Sequence, residues 1–378
     1  MSEKSVETSG VDVDLGNGFT RAQIARCISS RRLELTLLPT EKCNFRCVYC
    51  YEDFELGRMP PEVVAGVKNL ISRRADKLEE LQFSWFGGEP LLALPVVKDI
   101  CAHAMAEAQR VGFGFNGGVT TNAYLLTPSV LEDLVDLRQT FYQVSLDGAP
   151  ADHDKTRIRA DGAGTFARIW ENMLAARGVD REFTIQFRVH MTPHNFESLK
   201  ELALMIRSEF GSDGRFRVDL QHIRNMGGSG SKNVTLMSDE QIADRARTIR
   251  SLLSTGQLPS EPSAAARPAE TQAGAKKRVT ERGSTGAGGN DICYAAKPNH
   301  WMIRANGNIG RCTVILNDAR NELGRLLPDG TMELRQDRIS PWFTGFDELD
   351  VDRLACPAIA VPPIKPARPV IAIEPARS

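Results

Sequence analysis

Cys43, Cys47 and Cys50 stand as Cys-x-x-x-Cys-x-x-Cys directly after the apolar, strand-like run at residues 33–38. Thiolates are soft ligands, and three on one short loop can hold three irons of a cubane cluster whose usual protein ligation is four cysteines. The fourth iron then stays open to a small molecule. Zinc is the competing reading; it asks for a second Cys/His half, and none lies nearby in sequence. Further along, Phe86-Gly87-Gly88-Glu89-Pro90 follows a second strand-like run. Glycines let backbone carbonyls and amides approach a ligand closely, and a carboxylate such as Glu89 can pair with an ammonium. Ser145-Leu-Asp147-Gly148 ends a fourth run, with Arg157 shortly after it. A last group joins Cys293 and Cys312 around the turn Asn306-Gly307-Asn308, a strong hairpin signal, with Cys356 beyond.

These groups need a frame that gathers them. Strand-like runs at 33–38, 81–86, 118–121, 141–146, 184–191 and 215–223 alternate with helix-period segments at 62–74, 95–110, 128–137, 166–177, 197–210 and 239–253. Six such units imply an α/β fold with a mostly parallel sheet, curled toward a barrel by right-handed crossovers. In such sheets ligands gather at the carboxyl ends of the strands. The cysteine loop follows the first strand, Gly87-Gly88-Glu89 the second, Thr121-Asn122 ends the third, and Ser145 to Gly148 end the fourth.

The motifs resemble those of the radical S-adenosylmethionine (radical SAM) enzymes. Cys43, Cys47 and Cys50 match the cluster motif, with Tyr49 as the aromatic before the third cysteine. The resemblance implies a partial (β/α)6 barrel, a [4Fe-4S] cluster, and reductive cleavage of S-adenosylmethionine to methionine and a 5'-deoxyadenosyl radical that abstracts a substrate hydrogen. It implies that Gly87, Gly88 and Glu89 bind the cosubstrate's amino group, and that Ser145 and Arg157 contact its ribose and carboxylate. Without the resemblance, Ser145 reads as a turn cap and Arg157 as a solvated charge. Tyr49 would lie near adenine or shield the cluster. Leu220 would pack near adenine or be an inward core leucine.

Cys293, Gly307 and Cys312 resemble the opening of a SPASM or twitch extension, a small hairpin module carrying auxiliary clusters; 323–326, Asp329-Gly330 and Trp342 continue the likeness. The dense cysteine run of a full module is missing. Of eight cysteines, three belong to the first motif and Cys27 and Cys101 read as core residues on helix faces, leaving Cys293, Cys312 and Cys356. They support one auxiliary cluster at most, or a degenerate, truncated or labile site. Sulfatase maturases, which the barrel motifs resemble, carry an aspartate base after this cysteine; here it is Thr313, so formylglycine formation is not expected and no catalytic base is assigned. His190 and His222 read as structural, and His300 is ambiguous.

With 42% hydrophobic and 25% charged residues the composition is that of an ordinary globular chain. A net charge of -1 argues against a nucleic-acid or anionic-membrane surface. No signal peptide or membrane-length apolar run is present, so the cytoplasm is the expected compartment. The expected organisation is an N-terminal segment, partly disordered (1–32), the barrel (33–253), a flexible linker or insertion (254–290), the incomplete SPASM/twitch-like module (291–357) and a disordered tail (358–378). The function expected from the resemblance is modification of a ribosomally made peptide or protein, such as a crosslink, with electrons from a donor such as a flavodoxin or ferredoxin. Radical chemistry on a small metabolite in cofactor biosynthesis is the alternative. A noncatalytic iron-sulfur or zinc scaffold comes third.

Overall fold

The computed structural model describes residue 15 and residues 18–224, 235–258 and 292–364. Most of the linker and tail expected from composition, and the first residues of the N-terminal segment, lie outside the described residues.

Helix α1 (Arg21–Ile28) opens with a reciprocal capping box between Thr20 and Gln23. Six strand–helix units follow, interrupted by the short β2, α5 and β6 that the sequence reading does not include; the six lie within two residues of the spans read from sequence except for an earlier start of the third strand: β1 (Arg32–Leu37), β2 (Phe45–Cys47), α2 (Pro61–Ala75), β3 (Glu80–Trp85), α3 (Leu94–Val111), β4 (Gly114–Thr121), α4 (Pro128–Asp136), β5 (Gln139–Leu146), α5 (Pro150–Thr156), β6 (Arg157–Arg159), α6 (Phe166–Ala176), β7 (Thr184–Met191), α7 (Phe196–Phe210), β8 (Phe216–His222) and α8 (Asp239–Thr255). Proline begins α2 and α4, where its missing N–H has no helical acceptor, and α3 stops at Gly112, whose φ of 94° is the left-handed cap. The chain ends in β9 (His300–Ile303), β10 (Asn308–Gly310), β11 (Gly324–Leu326), β12 (Met332–Leu334), α9 (Gln336–Ile339) and α10 (Val351–Ala355).

One sheet runs β12-β11-β10-β9-β1-β3-β4-β5-β7-β8. The six strands from β1 to β8 pair in parallel, β9 joins β1 in parallel, and the last three pair antiparallel. β8 forms no ladder with β1, so the barrel is open, in agreement with the expected partial (β/α)6 architecture. Sheet hydrogen bonding crosses from the barrel to the carboxyl-terminal segment: Leu38 N donates to Ile303 O at 3.0 Å.

The two faces of the sheet differ, as the period of two requires. Leu81, Phe83 and Trp85 of β3, Tyr142, Val144 and Leu146 of β5, and Ile185, Phe187, Val189 and Met191 of β7 are buried on the helix-covered face. Each fully buried apolar side chain of this size contributes about 1.5–3 kcal/mol. The concave face carries half-buried Gln143 and Ser145, then Gln186, Arg188 and His190, then Asp219 and Gln221. A polar inner wall of this kind is made to meet a polar ligand.

Candidate functional site

The cysteine loop leaves the end of β1 and is held from three sides. First, β2 pairs antiparallel with β6, setting Cys47 opposite Arg157 and Phe45 opposite Arg159. Second, the loop rests on the turn after β3. Gly88 (φ +40°) lies so close that a Cβ there would stand 2.2 Å from Lys42 O, and a Cβ on Gly87 (φ +85°) would stand 2.7 Å from Leu38. Glu89 N donates to Lys42 O at 3.0 Å and Gly88 N to the Glu52 carboxylate at 2.7 Å. The glycines thus serve first to let two loops touch. Third, Glu41 binds Arg304 of the hairpin turn through Nε at 2.9 Å and Nη2 at 2.6 Å.

Glu89 is fully buried. Its carboxylate accepts from Leu91 N (3.0 Å), Thr121 Oγ1 (2.8 Å) and Asn122 N (2.7 Å), tying the ends of β3 and β4 together. A carboxylate has about four acceptor directions, so three internal donors leave one for a cosubstrate ammonium. Asn122 Nδ2 reaches Asn44 Oδ1 at 2.8 Å, which carries the brace to the cysteine loop.

All three thiols are partly buried and free, and Phe45 N donates to Cys43 Sγ at 3.3 Å. Burial pushes the Cys43 and Cys50 thiols up to about 12 and raises Cys47, so without a cation they stay protonated at neutral pH. Ligated iron would reverse that balance. Among the described residues no three His, Cys, Asp or Glu side chains are arranged to hold a metal ion. The cysteines share a loop without meeting at a point, and a cubane takes its thiolates at separate corners. The fit is supported by Arg157, which is 8% exposed, with a buried Nε that has no hydrogen-bond partner. It lies directly across the ladder from Cys47.

Behind the loop lies a polar network that the sequence did not reveal. Tyr49 Oη donates to Asp147 Oδ2 at 2.7 Å and accepts from Arg157 Nη1 at 2.8 Å. Thr156 Oγ1 donates to the same Asp147 oxygen at 2.7 Å, and His190 Nδ1 lies 2.9 Å from Asp147 Oδ1. Burial by itself would raise the Asp147 carboxyl, but the His190 hydrogen bond and the Arg157 charge hold it well below the usual carboxylate range. Ser145 lies half-buried on the concave face, in register with Arg188. Leu220 is in register with Val189, is half-buried and packs against the apolar core.

Cys293, Cys312 and Cys356 are partly buried. Cys293 N donates to Leu354 O at 2.9 Å, while Asn321 shapes the Cys312 turn by accepting from Arg311 N and Cys312 N and donating to Cys312 O. Cys293 and Cys312 pack on one small apolar cluster around Trp342. Thr313 is buried and bonded to Tyr294 Oη at 2.7 Å. Arg311 is fully buried between Trp301 and Phe343, with Nε on Ala295 O at 3.0 Å and Nη1 unpartnered. No carboxylate pairs with it among the described residues, so it too suits a thiolate-bound anion. Cys27 and Cys101 are core residues. His300 is buried, and its Nε2 lies 2.9 Å from Thr36 Oγ1.

The radical SAM superfamily model matches residues 37–206. The chain is 31% identical over 180 residues to mycofactocin maturase MftC of Mycobacterium ulcerans, covering 45% of this chain and 43% of that protein. It is 32% identical over 148 residues to GTP 3',8-cyclase of a Cyanothece species, covering 38% and 43%. It therefore spans less than half the length of these curated relatives. In fold it is similar to anSMEcpe solved with AdoMet and the Cp18Cys peptide, with a TM-score of 0.54 at 15% identity over 78% of this chain and 77% of that one. The cysteine loop, the glycine turn and the open parallel sheet all lie within or beside the matched span, and residues 37–206 form a radical SAM domain.

Proposed function

We propose that this chain is a radical SAM enzyme that holds a [4Fe-4S] cluster through Cys43, Cys47 and Cys50 and acts on a ribosomally made peptide or protein. The observation that carries the reading is the cysteine loop itself, braced by Gly88, Glu89 and β6, with Arg157 and its unpartnered Nε across from Cys47. The chemistry supplied by the bound cluster is one-electron cleavage of S-adenosylmethionine to methionine and a 5'-deoxyadenosyl radical. Gly87, Gly88 and the remaining acceptor direction of Glu89 receive the cosubstrate's ammonium. Ser145 faces the ribose from the concave wall, Arg157 offers a cation on the carboxylate side, and Tyr49 closes the floor. Cys293, Cys312 and Cys356 hold one auxiliary cluster, with Arg311 as its buried counter-charge. Residues 33–253 serve as the barrel and 291–357 as the auxiliary module, and a flavodoxin- or ferredoxin-type donor supplies electrons.

The peptide reading draws support from the likeness to MftC and to the peptide-bound fold neighbour. Similarity to GTP 3',8-cyclase favours the small-metabolite alternative. Anaerobically reconstituted protein with dithionite and S-adenosylmethionine is expected to release 5'-deoxyadenosine, and Cys47→Ala to abolish it. Equal release by both proteins would refute the assignment. Adding GTP separates the alternatives, because faster release with a GTP-derived product would replace the peptide reading.

A further inference from the structure

His190 ends β7 on the concave face, and its surroundings are built in an unusual way for a structural histidine. Nδ1 lies 2.9 Å from Asp147 Oδ1, and Asp147 is a buried carboxylate whose other oxygen is taken by Tyr49 and Thr156. Asn195 Nδ2 donates to both Asp147 O (2.7 Å) and His190 O (2.9 Å), clamping the ends of β5 and β7 at a fixed spacing. The Tyr49 ring meets the imidazole edge-on at 5.7 Å. Among the described residues Nε2 has no hydrogen-bond partner, and it is not a sealed buried atom either, since the side chain keeps 14% of its exposure. A carboxylate on Nδ1 fixes the proton there and leaves the Nε2 lone pair free, with the carboxylate ready to stabilise the imidazolium that forms.

We infer that His190 is a proton acceptor of this active site, oriented by Asp147 and aimed at the substrate from the concave wall. It rests on the proposed radical SAM reading. The step is a plain proton transfer from a substrate thiol, hydroxyl or amide: the X–H bond breaks with its electron pair left on X, and an Nε2–H bond forms. No electron is exchanged. Such a base contributes about 10²–10⁴-fold where it acts. The charged and titratable groups around it are Asp147 from the β5 turn, Tyr49 from the cysteine loop, Arg157 beyond Tyr49 from β6, and His153 of α5 behind Asp147. Gln221 of β8 is its neutral neighbour across the ladder.

The test uses full-length, cluster-loaded protein labelled with ¹⁵N-histidine, in which His190→Asn identifies one of six ring signals. The expected neutral tautomer carries its proton on Nδ1. Diethylpyrocarbonate is expected to modify His190 with saturating S-adenosylmethionine present, read by peptide mass, and to lose that site in His190→Asn. Asparagine retains a donor for Asp147, so His190→Asn should keep the iron content of wild type. A neutral ring with its proton on Nε2, or protection by S-adenosylmethionine, would overturn the inference. So would an equal collapse of iron content and cosubstrate cleavage in His190→Asn, which marks a structural brace. Absence of 5'-deoxyadenosine from wild type would instead strike the proposed function and leave the ring's protonation state as measured.

Discussion

Replacing Arg304 by methionine tests how firmly the cysteine loop is tied to the β9–β10 hairpin. The guanidinium donates to both Glu41 oxygens, at 2.9 and 2.6 Å, and to Leu316 O at 2.9 Å. The two side chains are 11% and 2% exposed, so the small values typical of surface pairs do not apply. Removing one partner of a buried pair costs about 3–5 kcal/mol, because the other charge stays buried alone. The residual exposure of Arg304 places this pair at the low end, about 3 kcal/mol. Glu41→Met with Arg304→Met leaves only the Leu316 carbonyl short of a donor, a loss of about 1 kcal/mol. The double variant is therefore expected to be more stable than Arg304→Met alone by about 2 kcal/mol. Urea unfolding of the metal-free protein, followed by tryptophan fluorescence across all four members of the cycle, measures this. Glu41 lies two residues before Cys43, so Arg304→Met should also retain less iron after anaerobic reconstitution. Strict additivity of the two single changes, or an Arg304→Met midpoint equal to wild type, would refute the clamp.

Gly88→Ala forces a Cβ against Lys42 O at a positive φ; the expected loss is about 1–3 kcal/mol with lower iron content, measured by melting and iron assay. Burial holds His153 at about 4, below its ordinary 6.5, with Asp147 opposing the shift. Its neutral form therefore supports the fold above pH 6.5, and that support is lost as pH falls through about 4, where the unfolded chain binds the proton more readily. Thermal melts from pH 7 to 4 should fall more steeply for wild type than for His153→Gln. Arg311→Gln removes a buried cation beside Cys312, so an auxiliary cluster held as proposed by Cys293, Cys312 and Cys356 should bind less tightly and titrate at a more negative potential, while iron at the Cys43 loop is unchanged.

The strand and helix spans were legible because each runs long enough to show its period. β7, with Ile185, Phe187, Val189 and Met191 buried and the residues between them half-exposed, is the clearest case. The Thr20–Gln23 capping box was also present in the sequence as a signal for α1, and was missed. β2 and β6 carry no readable signal, since three residues have no period and their partner is more than a hundred positions away.

By itself the sequence determined which chemistry is available. Spacing fixes three cysteines on one loop, and composition fixes how few cysteines remain for a second cluster, since both are properties of the chain as written. Only the tertiary structure decided what those residues meet. Arg157 faces Cys47, Glu89 binds the end of β4, and Asp147 orients His190, because parallel crossovers bring together strand ends far apart in sequence. The desolvation that follows their burial makes each unpaired charge costly, and so makes each pairing specific.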